Sequence, residues 1–394
     1  MQGNELAIAV EATYPYVKSF GAEGFLSRSA TPQDANNHRL SSANIFFDDY
    51  QPLGVISHWM DLLQSLFPSH VSVITVGRTD EGREIKAFRL GVHPSPDQNS
   101  TGRRNAIIVT GGQHAREWIS VSTVNYVAYS IITSYGKDEQ ITSLLQDMDL
   151  IFVPTLNPDG YVYTFDHDRL WRKNRQATSL EFCPGVDLDR CWNFKWDGQR
   201  TIHDPCSESF AGSTPFAAVE TRSFAEWVNN ATETNGMNIV GMLDMHSYSQ
   251  EILYPYAFTC HENPPTLEDL EEMGQGIAKA IRGRNHVNYK VMSACQGNVA
   301  VSGNAVAHVE GGGGSALDWF YHELGVRKAF QIKLRDQGVY GFLLPKEYIV
   351  PTGNEILSAV EWFAKEVARS LAGEDSVESR LKSSAQRKLP TEEL

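Results

Sequence analysis

The chain has 394 residues, 41% of them hydrophobic and 10% aromatic, which is enough apolar surface for a sizeable core and excludes global disorder. Its 34 Lys and Arg against 48 Asp and Glu leave a formal charge of −14 with no basic cluster, which argues against nucleic-acid binding because phosphates need a cationic face. No uncharged apolar run approaches the length needed to cross a bilayer, so no membrane span is expected.

Residues 1–42 are polar and irregular, and read as an N-terminal extension, a leftover pro-region or a linker rather than as part of the core. No basic segment followed by a long apolar run marks a signal peptide, which suits either a cytosolic protein or one whose leader has been removed. From Phe46 the texture changes. Apolar spacing predicts a helix over 56–66 and strands over 71–76 and 84–89. A buried strand over 106–110 runs through Gly111 and Gly112 into a helix over about 116–134. A strand over 150–153 opens a long loop over 155–214, rich in Asn, Asp, Gly and Arg. A helix over 217–228, a strand over 239–244, a helix over 266–282, a strand over 329–334 and a helix over 355–371 follow. Strands alternating with helices imply one α/β domain over 43–372 with a mostly parallel sheet. Residues 373–394 carry charge, Ser and Gln, and are expected to be a disordered tail.

Two predicted strand ends carry chemistry. The first feeds Gly111-Gly112-Gln113-His114-Ala115-Arg116-Glu117, with His114 and Glu117 three residues apart at a helix start. The second reads Leu243-Asp244-Met245-His246-Ser247. Ligands in α/β sheets gather at carboxyl ends of strands, and two His with one Glu form the donor set of a catalytic zinc. By itself the His-x-x-Glu spacing also describes an ordinary solvated helix start.

The surrounding text separates the two readings. GGQHAREWIS, LNPDGYVYTF, RLWRKNRQ, GVDLDR, MHSYSQEILYPY, GSALDWFY and LRDQGVYGFLLP resemble, in order, the segments of the zinc metallocarboxypeptidases of the carboxypeptidase A type, over roughly residues 44–371. That resemblance implies a mixed, mostly parallel eight-stranded sheet with helices on both faces, and removal of one C-terminal residue as the family chemistry. It implies one zinc held by His114, Glu117 and His246, with Asp187 orienting the first histidine. It assigns Arg172 to polarising the scissile carbonyl, Arg190 to the substrate carboxylate and Arg116 to a subsite, although a surface helix would also hold an arginine there. It pairs Cys183 with Cys206, makes Cys260 with Cys295 the best second pair, and leaves Cys191 as a buried free thiol. Disulfides and the sequons at Asn99 and Asn230 suit a secreted or vacuolar glycoprotein.

Three departures weaken the peptidase reading. The family's catalytic glutamate position is Lys333, in Phe330-Gln331-Ile332-Lys333-Leu334-Arg335-Asp336. An ammonium cannot take a proton from water, so the catalytic base is missing. The family's carboxylate-binding asparagine is Asp189, and Val309 or Glu310 stands where a mobile tyrosine closes over substrate. Lys333 is expected to turn aside to Asp189 or Glu310. Fungal secreted carboxypeptidase-like proteins associated with cell-wall organisation share the glutamate-to-lysine exchange. The expectation is therefore a monomeric, zinc-binding pseudoenzyme that takes peptide or protein C-termini. An active peptidase with an unusual base and a structural protein with a relic site are the alternatives.

Overall fold

A computed structural model describes residues 3–14, 45–93, 103–196, 204–234, 236–297, 299–302, 305–308 and 312–386. Its strands are β1 (Val71–Arg78), β2 (Glu84–Leu90), β3 (Arg104–Thr110), β4 (Asp149–Val153), β5 (Met237–Ser247), β6 (Glu251–Tyr254), β7 (Lys290–Ser293), β8 (Val299–Ser302), β9 (Ala305–His308) and β10 (Ala329–Leu334). Eight of them form one sheet in the order β1-β2-β4-β3-β5-β10-β6-β7, while β8 and β9 form a separate hairpin. The central run β4-β3-β5-β10 is parallel, and antiparallel pairing appears on both flanks. This is the mixed, mostly parallel eight-stranded architecture that the family resemblance implied.

The helices are α1 (Gly3–Thr13), α2 (Leu53–Leu66), α3 (Trp118–Ser134), α4 (Glu139–Asp147), α5 (Pro158–Asp166), α6 (Val219–Glu233), α7 (Leu267–Asn285), α8 (Ala294–Gly297), α9 (Ala316–His322) and α10 (Ile349–Gln386). The central strands are buried along their length: all five residues of β4 are inaccessible, as are Ala106–Val109 of β3. Strands covered on both faces read as continuous apolar runs, which is why these two were visible in the sequence.

Several expectations need correction. The extension contains a helix, α1, because Glu5, Leu6, Ala7, Ala9, Glu11 and Ala12 are strong helix formers. Its end is anchored: Thr13 accepts from the buried Arg169 Nε at 3.1 Å, and the Tyr14 ring meets Trp118 edge-on at 5.7 Å. The rest of the extension, 15–44, lies outside the described residues. The expected tail is helical to Gln386, since 374–386 lacks Gly and Pro and continues the last helix. The long loop hides α5, announced by Asn157, whose side chain caps Gly160 N, and by Pro158 in the first turn.

Candidate metal centre and cleft

The centre forms where two adjacent parallel strands end. Thr110 closes β3 opposite Asp244 of β5, which brings the two motifs together across more than a hundred residues. Gly112 makes the turn out of β3 with φ +62°, and a Cβ there would meet Val121 Cγ2 at 2.8 Å; only glycine fits both demands. Glu117 caps α3 rather than riding on it, so His114 and Glu117 share the turn before the helix. Ala115 N donates to Arg172 O at 3.0 Å, tying this turn to the RLWRK segment.

One donor atom from each of His114, Glu117 and His246 lies within 4.8 Å of the others, and all three side chains are buried. The outer contacts decide how the rings present themselves. His114 Nε2 lies 3.1 Å from Asp187 Oδ1, and His246 Nε2 lies 2.8 Å from Asp244 Oδ2. Carboxylates only accept, so each Nε2 carries hydrogen, and each Nδ1 turns a lone pair inward once a cation replaces a second ring proton. The two Nδ1 atoms face one another at 3.1 Å, with Glu117 Oε1 at 2.9 Å from one and Oε2 at 3.1 Å from the other. Two lone pairs and a carboxylate converging on one point call for a cation, and the donor set suits zinc.

The electrostatics agree. Burial alone would raise the Glu117 carboxyl, but the His114 and His246 imidazoles outweigh it and hold it well below the usual range. Burial opposes charge on His246, yet Asp244 and Glu117 raise it well above an ordinary histidine. The acids of this pocket demand positive charge at its centre. Asp187 is buried, which raises it, but Arg172 and His114 bring it far below the ordinary value. Its Oδ2 accepts from Arg172 Nε at 3.1 Å and Nη2 at 2.9 Å, so one aspartate positions both His114 and Arg172.

Asp244 is the residue that the sequence reading missed. It accepts from Thr110 Oγ1 at 2.6 Å and from Gln113 Nε2 at 3.1 Å, besides its contact with His246. Its position two before His246 on a strand puts both on one face, and that period was the available signal.

The cleft side differs from expectation at Lys333. Its β10 register faces His246 of β5 on one side and Glu251 of β6 on the other. The ammonium donates to Gly297 O of α8 at 2.8 Å and lies 3.8 Å from Glu251 Oε2. It therefore turns aside to a carboxylate, but not to Asp189. Asp189 accepts from Ala316 N at 3.1 Å and Gln331 Nε2 at 3.2 Å, and Arg190 Nη1 lies 3.7 Å from its Oδ2. Residues 309 and 310 lie outside the described residues. Burial pulls the Lys333 ammonium below the ordinary lysine value, against the opposing pull of Glu251 and Glu117.

The remaining predicted residues fall as follows. Arg190 is only slightly exposed and donates to Asp189 O at 2.8 Å. Arg116 pairs with Glu208 at 3.0 Å and stacks on Phe342 at 4.2 Å, on the rim rather than at the centre. Cys183 is bonded to Cys206 and Cys260 to Cys295; Cys191 is free and buried, its thiol pushed up to about 12 by burial. The first bridge closes over the segment of Asp187 and Arg190, and the second anchors α8, which carries the acceptor of Lys333. Asn230 is exposed on α6, and Asn99 lies outside the described residues. No described helix is long and apolar enough to cross a membrane.

Comparison with known proteins follows the same lines. The family model described as zinc carboxypeptidase matches residues 56–359. A protein of Uncinocarpus reesii named inactive metallocarboxypeptidase ECM14 is 54% identical over 368 residues, covering 92% of this chain and 62% of that protein. Its namesake in Paracoccidioides lutzii is 53% identical over 362 residues, covering 91% of this chain and 59% of that protein. The chain thus spans about three-fifths of the length of these curated relatives. Among solved structures, bovine thrombin-activatable fibrinolysis inhibitor in complex with tick carboxypeptidase inhibitor aligns at TM-score 0.71 and 30% identity, over 82% of this chain and 99% of that one. Carboxypeptidase A of Helicoverpa armigera, at 23% identity, shares the fold with TM-score 0.71 over 93% of this chain and 81% of that one.

Proposed function

This chain belongs to the zinc carboxypeptidase family, and on that premise we propose that it is a zinc-binding, catalytically silent member that takes up peptide or protein C-termini. The residues fit the metal: His114 Nδ1, His246 Nδ1 and Glu117 offer the donors, with Asp187 and Asp244 holding the rings in place. Bound zinc supplies a Lewis acid that polarises a carbonyl and acidifies water. Arg172 is held by Asp187 beside that point, and Arg190 offers a guanidinium for a terminal carboxylate.

The observation that carries the proposal is Lys333. A peptidase needs a proton acceptor beside the metal, and here an ammonium donates to Gly297 O with Glu251 as counter-charge. Burial disfavours the charge and Glu251 opposes that loss, while the contact to Gly297 O uses the lysine as a donor. Asp189 adds negative charge beside Arg190, where a substrate carboxylate would arrive. The silence of the named relatives supports this reading.

The test is release of C-terminal residues from aromatic, aliphatic and basic peptides by zinc-loaded protein, beside its Lys333→Glu variant. Neither should turn over. A new carboxylate at 333 would lie next to Glu251 and would leave Asp189 in place, and parts that act as a unit are not repaired singly. The second reading, an active peptidase with an unusual base, rests on Glu251 being a cleft carboxylate next to Lys333. Robust turnover by the unmodified protein, lost with chelator and with His114→Ala, would establish it.

The same proposal puts the protein in the secretory pathway, extracellular or vacuolar, as a monomer with a role in fungal cell-wall organisation. Two disulfides support the oxidising compartment. The exposed sequon at Asn230 supports glycosylation.

A further inference from the structure

We propose that the metal cleft takes a chain end as its primary carboxamide rather than as a carboxylate, with Asp189 and Arg190 reading that group. The inference rests on the uptake of C-termini proposed above and narrows it to amidated ends.

Charge is the first ground. Among the described residues, each side-chain cation assigned to the cleft already faces a carboxylate. Arg116 meets Glu208 at 3.0 Å and Arg172 meets Asp187 at 2.9 Å, while Arg190 lies 3.7 Å from Asp189 and Lys333 3.8 Å from Glu251. At the metal position, Glu117 and Asp244 supply two negative charges for a dipositive ion. A carboxylate ligand therefore meets no cation in excess, and at Arg190 it meets Asp189 as well. Like charges side by side cost binding energy, so this contact selects against a charged end.

Hydrogen bonding is the second. Asp189 Oδ1 accepts from Ala316 N at 3.1 Å, and Oδ2 accepts from Gln331 Nε2 at 3.2 Å. A carboxylate has about four acceptor positions, so each oxygen keeps one. Arg190 Nη1 donates to Asp189 O at 2.8 Å, whereas its Nε and Nη2 have no partner among the described residues. Acceptor and donor thus stand side by side. Both stay reachable, with 7% of the Asp189 side chain and 14% of the Arg190 side chain exposed. A primary carboxamide carries the complementary pair, a carbonyl that accepts beside an NH2 that donates. A carboxylate only accepts, so it can satisfy Arg190 but sets its lone pairs against those of Asp189.

Placement ties the pair to the metal centre. The register of β10 sets Gln331 opposite Asp244 and Lys333 opposite His246 of β5. Side chains alternate along a strand, so Gln331 and Lys333 share one face, about 7 Å apart. Gln331 therefore positions Asp189 one strand repeat from the row that carries His246.

The experiment is calorimetric titration of the zinc-loaded full chain with N-acetylated tetrapeptides ending in Phe, Leu or Lys, each prepared as acid, primary amide and methyl ester. In whichever sequence binds, the amide should bind about tenfold more tightly than the acid, which adds a like charge beside Asp189. It should also bind about tenfold more tightly than the ester, which is neutral but has no N–H for Asp189. Asp189→Asn removes the charge and keeps the shape, and should abolish the preference for amide over acid. Equal or tighter binding of the acid by the unmodified protein overturns the proposal and leaves the uptake of C-termini standing; this comparison decides whether or not the variant folds. An ester that matches the amide overturns it too, as does a preference that survives Asp189→Asn in protein shown to be folded by circular dichroism. If no peptide binds in any form, the uptake of C-termini falls and this inference falls with it.

Discussion

The two sides of the metal cleft are built to different standards. On the metal side every inward donor has an outer partner: Asp187 behind His114, Asp244 behind His246, and Ser247 N donating to Glu117 Oε2 at 3.1 Å. Those partners are themselves anchored, by Arg172, Thr110 and Gln113. On the opposite side Lys333, Glu251 and the carbonyl of Gly297 form a small ion-pair cluster directed at one another. The first region is arranged around a cation that must be supplied; the second supplies its own. Holding a metal and moving a proton are thus separable properties of one cleft.

The largest effect should come from breaking the metal side. His246→Ala should drop zinc from near one per chain to background by elemental analysis, whereas Lys333→Met should leave it unchanged. Asp244→Asn, which keeps the ring and loses the anion behind it, should weaken zinc by roughly 10–100-fold. Stoichiometric zinc in the His246 variant would dissolve the contrast.

Removing the bridges should separate the sides again. Replacing Cys183 and Cys206 by serine should cost about 3 kcal/mol by denaturant titration and should weaken zinc as well, through Asp187. The same change at Cys260 and Cys295 should cost a similar amount with zinc affinity kept, since that bridge anchors α8 and the acceptor of Lys333. Equal loss of zinc in both variants would show that the cleft behaves as one unit.

Glu251→Gln should destabilise by about 1–3 kcal/mol, because it removes a carboxylate that lies 3.8 Å from a mostly buried ammonium. The double change Glu251→Gln with Lys333→Met should recover part of that loss. Additive destabilisation would mean that the two residues do not act as a pair.

The smallest effect concerns pH. The folded protein holds the Lys333 ammonium below the ordinary lysine value, so it binds fewer protons here than the unfolded chain does. Stability carried by this group therefore rises with pH, from the depressed folded value up to about 10.4, and is constant below that window. Lys333→Met should flatten that alkaline rise in urea midpoints measured across the window. An unchanged profile would show that burial does not disfavour the charge.

Much of this was legible in the chain. Buried parallel strands read as apolar runs, so β3, β4 and β10 were found close to their true limits. The three donors stood at strand ends in distinctive text. The short strands β6 and β7, the hairpin β8–β9 and the helix α5 were not found, because segments of four to nine residues carry too few periods to stand out. The helix beyond residue 373 was misread from its polarity, although its residues favour helix once a preceding turn exists to extend.

What the sequence by itself determined is chemical: which residues offer nitrogen, carboxylate or ammonium, and that an ammonium stands where a base is needed. Which partner each one takes was decided by the tertiary structure alone. Lys333 reaches Gly297 and Glu251 rather than Asp189 because β6 pairs with β10 and lays Glu251 opposite Lys333, while Gln331 and Ala316 N occupy Asp189. Asp244 serves His246 because strand alternation aims both at one face, where β3 delivers Thr110 and Gln113. Hydrogen bonds act over about 3 Å, and distances that short between residues tens to hundreds apart in the chain exist only once the strands are in register.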